Sequence, residues 1–272
     1  MLPVAASTLR GADMREDIEK ELRKNYDKRT LVLRNFYSND HLKYNLDGVP
    51  VSRGKPGIWT LDGFVQIHKI EVKKNTVELE GTRLIWSYDQ KAEKSTYFRT
   101  MNPVKIEIGP FNSVPDISTV YKAIQGIFLN IKELSSEVPG YWKNFVLKEF
   151  GGGDTPVNMP PKKKAPAPSE NAASSKPSFI PGKVIRSRLI SKTEPEYSAL
   201  AKRLRVSGTI TFITRVDEEG HATVTGIVNP LGVGLEENAI EAISKWVYSP
   251  TYVDGKPIEV IATITVNFVI GR

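Results

Sequence analysis

A run of alternating apolar and polar residues near the carboxyl end constrains the fold of this chain most. Every second position is apolar at Ile258, Val260, Ala262, Ile264, Val266, Phe268 and Ile270. This is the period of a strand with one buried face. Residues 208–216 alternate in the same way, 217–220 form a hairpin turn, and 221–228 return as a second strand.

A helix is predicted between these strands and the last one. Its apolar stripe recurs at steps of three and four residues, at Leu235, Ala239, Ile243, Trp246 and Val247. Pro250 stops the helix, and Asp254-Gly255 is a tight-turn dipeptide before the last strand. Together with a short helix before Gly208, the stretch is predicted to be an α-β-β-α-β unit with an antiparallel sheet and helices on one face.

The order and spacing of these residues resemble the C-terminal domain of the TonB energy-transducer family. The resemblance covers residues 195–269 and is carried by Pro195, Tyr197, Ala201, Gly208, Asp217, Gly220, Ala239, Trp246, Pro250, Gly255, Lys256, Pro257 and Phe268. The chain departs from the family at Ser198, where a proline usually follows the tyrosine.

The resemblance implies a binding function for the last strand. In this family the last strand lies at the edge of the sheet, and an extended segment of an outer-membrane transporter pairs with it for energy-coupled transport. Such strand addition satisfies the unpaired backbone groups of the edge. The residues expected to bind the partner are those on the open face of the strand, namely Glu259, Ile261, Thr263, Thr265, Asn267 and Val269.

Other interpretations stay open. The family's transducers begin with a membrane helix that engages an inner-membrane motor, and no run here approaches the ~20 apolar residues that such a helix needs. Motor proteins are therefore expected partners only if the native chain carries an anchor ahead of Met1. The alternative is a secreted or periplasmic adaptor without motor coupling. The edge strand could instead form a homodimer or bind nothing. With either function, we expect the protein to be located in the periplasm or the cell envelope.

The first half of the chain predicts a separate β-rich domain at 13–150. A helix at 13–24 precedes strand candidates at 30–37, 42–46, 58–61, 64–72, 76–88 and 96–108. Many short strands separated by turns predict a small barrel or a strongly bent sheet. A long helix capped by Asp116 and running through Leu134 follows, and a shorter aromatic helix is predicted at 141–150. No motif in this domain indicates its role.

Two further segments complete the predicted organisation. Glycine, proline, alanine, serine and lysine dominate 151–181, which is typical of a linker. Residues 1–12 are small and apolar and are predicted to be a leader or a disordered segment. The chain is therefore predicted to be an α+β protein with two domains, and the C-terminal domain spans 182–272.

No pattern of residues predicts catalysis, a metal site or a cofactor. The chain has no cysteine, and His41, His68 and His221 are far apart in the sequence. A phosphate-binding loop, a nucleophile elbow and a metalloprotease motif are missing from the sequence. The acids at 217–219 lie in a tight turn and are interpreted as solvated rather than as a calcium site. We therefore expect a non-enzymatic protein.

The net charge of +7 makes nucleic-acid binding a third, less favoured function. Aromatic residues among basic ones could stack on bases, and the candidates are Trp59, Phe64, Trp86, Tyr88, Tyr97 and Phe98. Several of them share a strand face with isoleucine, leucine and valine. Core packing is therefore the preferred interpretation, and no nucleic-acid partner is expected.

Overall fold

The computed structural model describes residues 4–150 and 183–270, and the side chains of 4–12, 131 and 132 are outside that description. The helices are α1 Val4–Tyr26, α2 Trp59–Asp62, α3 Ile117–Ile127, α4 Ile131–Glu137, α5 Lys143–Phe150, α6 Ala199–Arg203 and α7 Leu235–Ile243. The strands before the predicted linker are β1 Thr30–Leu33, β2 His41–Tyr44, β3 Phe64–Val72, β4 Val77–Asp89, β5 Lys94–Ile108 and β6 Phe128–Leu129. The strands after it are β7 Val184–Ile185, β8 Leu189–Ser191, β9 Gly208–Val216, β10 Ala222–Asn229, β11 Val247–Tyr248, β12 Thr251–Val253, β13 Lys256–Ile258 and β14 Val260–Phe268. The predicted linker at 151–181 lies outside the described residues.

The N-terminal part is a six-stranded sheet in the order β2-β5-β4-β3-β1-β6. The sheet curls into a half-barrel, as the run of short strands predicted. Neighbouring strands in the sheet run antiparallel, except for β2 and β5, which run parallel. Buried residues of α1 and α3, such as Leu22 and Ile124, join strand residues such as Ile67 and Ile106 in one hydrophobic core. The sheet therefore bends around these two helices.

Three predicted elements of this part differ from the structure. Residues 58–61 were expected to form a strand, but the backbone N–H groups of Leu61 and Asp62 both bond to the carbonyl of Ile58. The helix α2 results, and the Asp62 carboxylate accepts a hydrogen bond from the N–H of Ile58 at 3.0 Å. Helix α1 begins at Val4 instead of residue 13.

The prediction of one long helix from Asp116 through Leu134 is also wrong. The structure has two helices in this segment, α3 and α4, with the short strand β6 between them. Phe128 and Leu129 pair with β1, and Asn130 then starts α4 with a capping box that includes Glu133. Both strand residues are buried. The apolar pattern in the sequence therefore continues across the break, so the sequence does not indicate where the first helix ends.

The C-terminal part has the predicted α-β-β-α-β order around an antiparallel sheet with the strand order β10-β9-β14. The last strand was expected to run unbroken from Ile258, but β13 ends at that residue and β14 begins after Glu259. β13 pairs with β12 across a two-residue turn in which Asp254 and Gly255 have φ angles of 51° and 79°. This is the turn that the Asp-Gly pair predicts.

One hydrophobic core spans the N-terminal and C-terminal parts. It contains Trp59, Phe64, Trp86, Leu134 and Trp142 together with Phe212, Ile227, Leu231, Leu235, Ala239 and Phe268. The 3-10 turn Gly140–Trp142 and helix α5 contact β10. The two parts are therefore in direct contact, and their independent folding stays a prediction.

Candidate functional site

Strand β14 lies at one edge of the three-stranded sheet. It pairs with β9 at nine consecutive positions, from Val260 opposite Val216 to Phe268 opposite Gly208. Within the described ranges, no strand pairs with its other side. Half of the backbone N–H and C=O groups of an edge strand point away from its neighbour, and these are free to pair with another strand.

The side chains of β14 alternate between the core and solvent. Ile264, Val266 and Phe268 are buried. The residues predicted for the open face are all exposed, namely Glu259, Ile261, Thr263, Thr265, Asn267 and Val269. Ile261 and Val269 are the most exposed apolar residues among them, at 67% and 75%. The exposed face of the strand is therefore mostly polar, with two apolar side chains, and it lies next to the open backbone edge.

Tyr197 packs the entry to this domain against the last strand, and Ser198 caps the first helix of the domain. The rings of Tyr197 and Phe268 meet edge to face with their centres 5.4 Å apart, and the Tyr197 hydroxyl donates to the carbonyl of Val206. Ser198, where the family usually has proline, caps α6 by accepting a hydrogen bond from the N–H of Ala201 at 3.1 Å. A serine side chain supplies this cap, which a proline could not. The departure from the family pattern thus has a structural role.

The other motif positions lie in or next to the β9–β10 and β12–β13 hairpins. Gly220 has a φ of +91°, and a Cβ built there would lie 1.9 Å from the carbonyl oxygen of Tyr248. No other residue type fits this position without a backbone shift. Gly208 opens β9, Pro250 lies between β11 and β12, and Pro257 pairs with Tyr252 in the β12–β13 hairpin.

Trp246 differs from its prediction in one respect. It was placed on the apolar stripe of α7, but the helix ends at Ile243, three residues earlier. The indole is nevertheless buried. Val247, assigned to the same stripe, lies in β11 and is 38% exposed. The helical spacing continues past the helix because Trp246 packs into the same core from the following turn.

The acids of the β9–β10 turn stabilise the turn itself. One Asp217 oxygen, Oδ1, accepts hydrogen bonds from the backbone N–H groups of Glu219 and His221 at 3.1 and 2.7 Å. The bond from His221 is the main reason that the pKa of Asp217 is lowered. Asp217, Glu219 and His221 also bring three potential metal ligands within 4.8 Å of one another, but they are an exposed turn with no further feature that points to an ion.

A second acidic group lies on β3 and β4 and is paired with lysines. Carboxylate oxygens of Glu71, Glu78 and Glu80 lie within 4.8 Å of one another. The Glu78 carboxylate contacts the ammonium groups of Lys73 and Lys105 at 2.7 and 2.9 Å. We interpret this group as an ion-pair network. The histidines noted in the sequence remain far apart in the structure. The Nε2 atom of His41 lies 3.4 Å from the Oε2 atom of Glu107, and the side chain of His68 is exposed.

The aromatic residues considered for base stacking pack inside the protein. Trp59, Phe64 and Trp86 are at most 2% exposed, and Tyr88, Tyr97 and Phe98 pack against the same core from its margin. The ring centres of Trp59 and Trp86 are 5.1 Å apart. Burial raises the pKa of the Tyr97 hydroxyl. These rings are therefore occupied by core contacts.

Comparison with known proteins identifies the part of the chain that carries the β14 edge. The family model of the Gram-negative bacterial TonB protein C-terminal matches residues 193–270. Residues 193–270 are a TonB C-terminal domain. Protein TonB of Vibrio cholerae serotype O1 is 28% identical over 78 residues, which are 28% of this chain and 32% of that relative. The chain thus spans about a third of the length of the curated relative that it matches.

The match to the TonB C-terminal domain covers residues 193–270 and does not extend into the first part of the chain. Among the described helices, none combines the length and the apolar character that crossing a membrane requires.

The side chains that join the first part to the TonB C-terminal domain were not predicted from the sequence. Glu236 and Glu237 look like ordinary surface acids of a helix, and nothing nearby in the sequence indicates that Trp142, 95 residues away, bonds to Glu237.

Proposed function

We propose that this protein binds an extended segment of an outer-membrane transporter at the β14 edge and takes part in energy-coupled transport across the cell envelope. The observation that carries the proposal is the open edge of β14 within a TonB C-terminal domain. The function is binding rather than catalysis. On this proposal the protein works in the periplasm or the cell envelope, where it meets such transporters.

The physical basis is the pairing of backbone groups along the edge. Each hydrogen bond contributes only about 0.5–1.5 kcal/mol net, so about five or six of them give a moderate and reversible affinity. Because main-chain groups carry this pairing, guests of different sequence can use the same edge. The open face adds side-chain contacts from Ile261 and Thr263, which lie on the exposed side of the strand. This suits a protein that serves several transporters.

Amide hydrogen exchange on the full chain tests the proposal. The chain is titrated with synthetic peptides that copy periplasm-facing extended segments of outer-membrane transporters. We expect alternate amides of β14, those that point away from β9, to gain protection when peptide is bound. Amides of β10, at the other end of the sheet, are the internal control. Saturable binding that protects no β14 amide would contradict the proposal, and so would protection that appears without peptide as the protein concentration rises, because that would indicate a homodimer.

A further inference from the structure

Two adjacent carboxyl groups lie where the N-terminal part meets the TonB C-terminal domain. Glu236 is fully buried, and its Oε1 accepts hydrogen bonds from the N–H groups of Leu231 and Gly232 at 2.5 and 2.9 Å. The Oε1 of Glu237 accepts one from the indole Nε1 of Trp142 at 3.2 Å. The second oxygen of each carboxyl, Oε2, is also buried and has no hydrogen-bond partner. Each acid thus has one satisfied oxygen and one unsatisfied oxygen.

The loop that Glu236 holds is the loop to which the N-terminal part binds. The N–H of Tyr88 donates to the carbonyl of Leu231 at 2.9 Å, and the N–H of Val233 donates to the carbonyl of Trp86 at 3.2 Å. The Ser87 hydroxyl donates to the same Leu231 carbonyl at 2.6 Å. β4 therefore pairs with a loop whose other side is fixed by the Glu236 carboxyl. Glu237 touches the N-terminal part directly through Trp142.

The surroundings of the two acids supply no compensating positive charge. The titratable group of the 3-10 turn that interacts with both is the Tyr141 hydroxyl, and it is neutral. On α2 the Asp62 carboxylate is a further acid, bonded to its own helix. On α5, Lys143 and Lys148 are exposed to solvent, and Glu149 accepts from the Ser95 hydroxyl. Within the described residues, neither Glu236 nor Glu237 forms an ion pair with Lys, Arg or His.

We propose that Glu236 and Glu237 together bind a proton at this interface, and that its loss as the pH rises loosens the N-terminal part from the TonB C-terminal domain. Two buried carboxylates on consecutive residues cannot both be ionised without a large cost, because each lacks hydration and the charge of one acts on the other. One proton bound by the pair removes one of the two buried charges. The pair is treated as one titrating unit.

The sign of the pH dependence follows from the environment of the acids. The pKa of Glu236 is raised from 4.5 to about 8, mainly because the carboxyl is buried and secondly because of the charge of Glu237. Burial also raises the pKa of Glu237. The docked form therefore keeps a proton that the undocked or unfolded form releases near its ordinary pKa. The stabilising contribution is complete below about pH 4.5 and is lost as the pH rises through the pKa of the docked form.

Hydrogen exchange on the full chain between about pH 5.5 and 8.5 tests this inference, with rates corrected for the intrinsic pH dependence. The reporters are the amides of Tyr88 and Val233, because both bonds cross the interface. We expect their protection factors to fall with rising pH, by up to about tenfold per pH unit for one proton. Amides in the middle of the β9–β14 ladder should keep their protection. Equal loss in both places would mean global unfolding and would overturn the proposal.

Three variants separate protonation from a purely structural role. Glu236→Gln keeps the Oε1 acceptor for Leu231 and Gly232 and resembles the protonated acid, so it should fold and show little pH dependence at the reporters. Glu237→Gln should do the same. Glu241→Gln is the matched control, because Glu241 lies on the same helix but is exposed and bonds to Lys245 at 2.8 Å. It should behave like the unchanged protein. A Glu236→Gln variant that fails to fold, or that keeps the pH dependence of the unchanged protein, would overturn the proposal.

Discussion

The indole Nε1 of Trp246 donates a hydrogen bond to the carbonyl oxygen of Thr193, with the two atoms 2.7 Å apart. Trp246 is 4% exposed, and the ammonium of Lys192 lies 5.7 Å from the centre of its ring. One side chain thus joins the segment that enters the TonB C-terminal domain to the turn that follows α7. Its position in the core indicates a structural role rather than contact with a partner.

Truncation of this indole should destabilise the protein strongly. Trp246→Ala removes a buried aromatic side chain and its hydrogen bond, at a cost of about 3–5 kcal/mol in the free energy of unfolding. Trp246→Phe is the control, because it keeps most of the buried area and loses the bond to Thr193. Denaturant titration of the full chain measures both. An alanine variant with unchanged stability and lost peptide binding would show that Trp246 is instead a contact residue.

Arg83 should be a second point at which the fold is sensitive. Its side chain is 4% exposed and donates to the backbone carbonyls of Asp62, Tyr37 and Asn39. A lysine has one ammonium and cannot reproduce this planar set of donors. Because hydrogen bonds to charged groups contribute about 1.5–3 kcal/mol each, Arg83→Lys should lower the unfolding free energy by several kcal/mol.

The control for Arg83 is Arg99→Lys, since Arg99 bonds to Gln66 at the exposed surface. We expect that change to stay within about 0.5 kcal/mol of the unchanged protein. Thermal unfolding compares the two variants. Equal stability of both variants would contradict the role that the three carbonyl contacts give to Arg83.

Limited proteolysis tests the predicted linker and the predicted independent domains. Because 151–181 is rich in glycine, proline and lysine, we expect the first cut there and two resistant fragments. The shared core should keep these fragments together on size exclusion until denaturant is added. First cleavage within 30–108 would contradict the linker assignment.

The sequence predicted the order of the main helices and strands of the C-terminal domain, because period-2 strands and turn pairs act locally. The alternation of Ile264, Val266 and Phe268 requires one buried face whatever lies beside the sheet. The break between α3 and α4 was missed because Phe128 and Leu129 are buried in a strand that pairs with distant residues of β1. Pairing between segments far apart in the chain leaves no local signal.

The contact between the two parts could not be predicted for the same reason. A composition break marks where a linker begins, but it does not show whether the domains on either side touch. Gln90 illustrates this, because its side chain donates to the carbonyls of Thr209 and Pro230 at 2.7 and 3.0 Å. In the sequence it is one polar residue in a turn. The open edge of β14 was predicted only through the family resemblance, since alternation identifies a strand's faces and not its neighbours.

Cysteine crosslinking measures strand addition at β14 most directly, and the chain's lack of native cysteine makes it specific. Single cysteines at Thr263, Thr265 and Asn267, all exposed, are each offered transporter-derived peptides that carry one cysteine at successive positions. Opposed residues on paired strands have Cβ atoms about 4.5–5.5 Å apart, close enough for a disulfide in favourable geometry. Cysteines at Ile264 and Val266, which are buried, are the controls.

If a guest strand pairs with β14, moving the protein cysteine by two residues should move the best-reacting peptide position by two. The direction of that shift reports whether the guest runs parallel or antiparallel to β14. The buried controls should react poorly. Crosslinking that is uniform along the peptide, or that forms only between two copies of this chain, would contradict guest-strand addition at this edge.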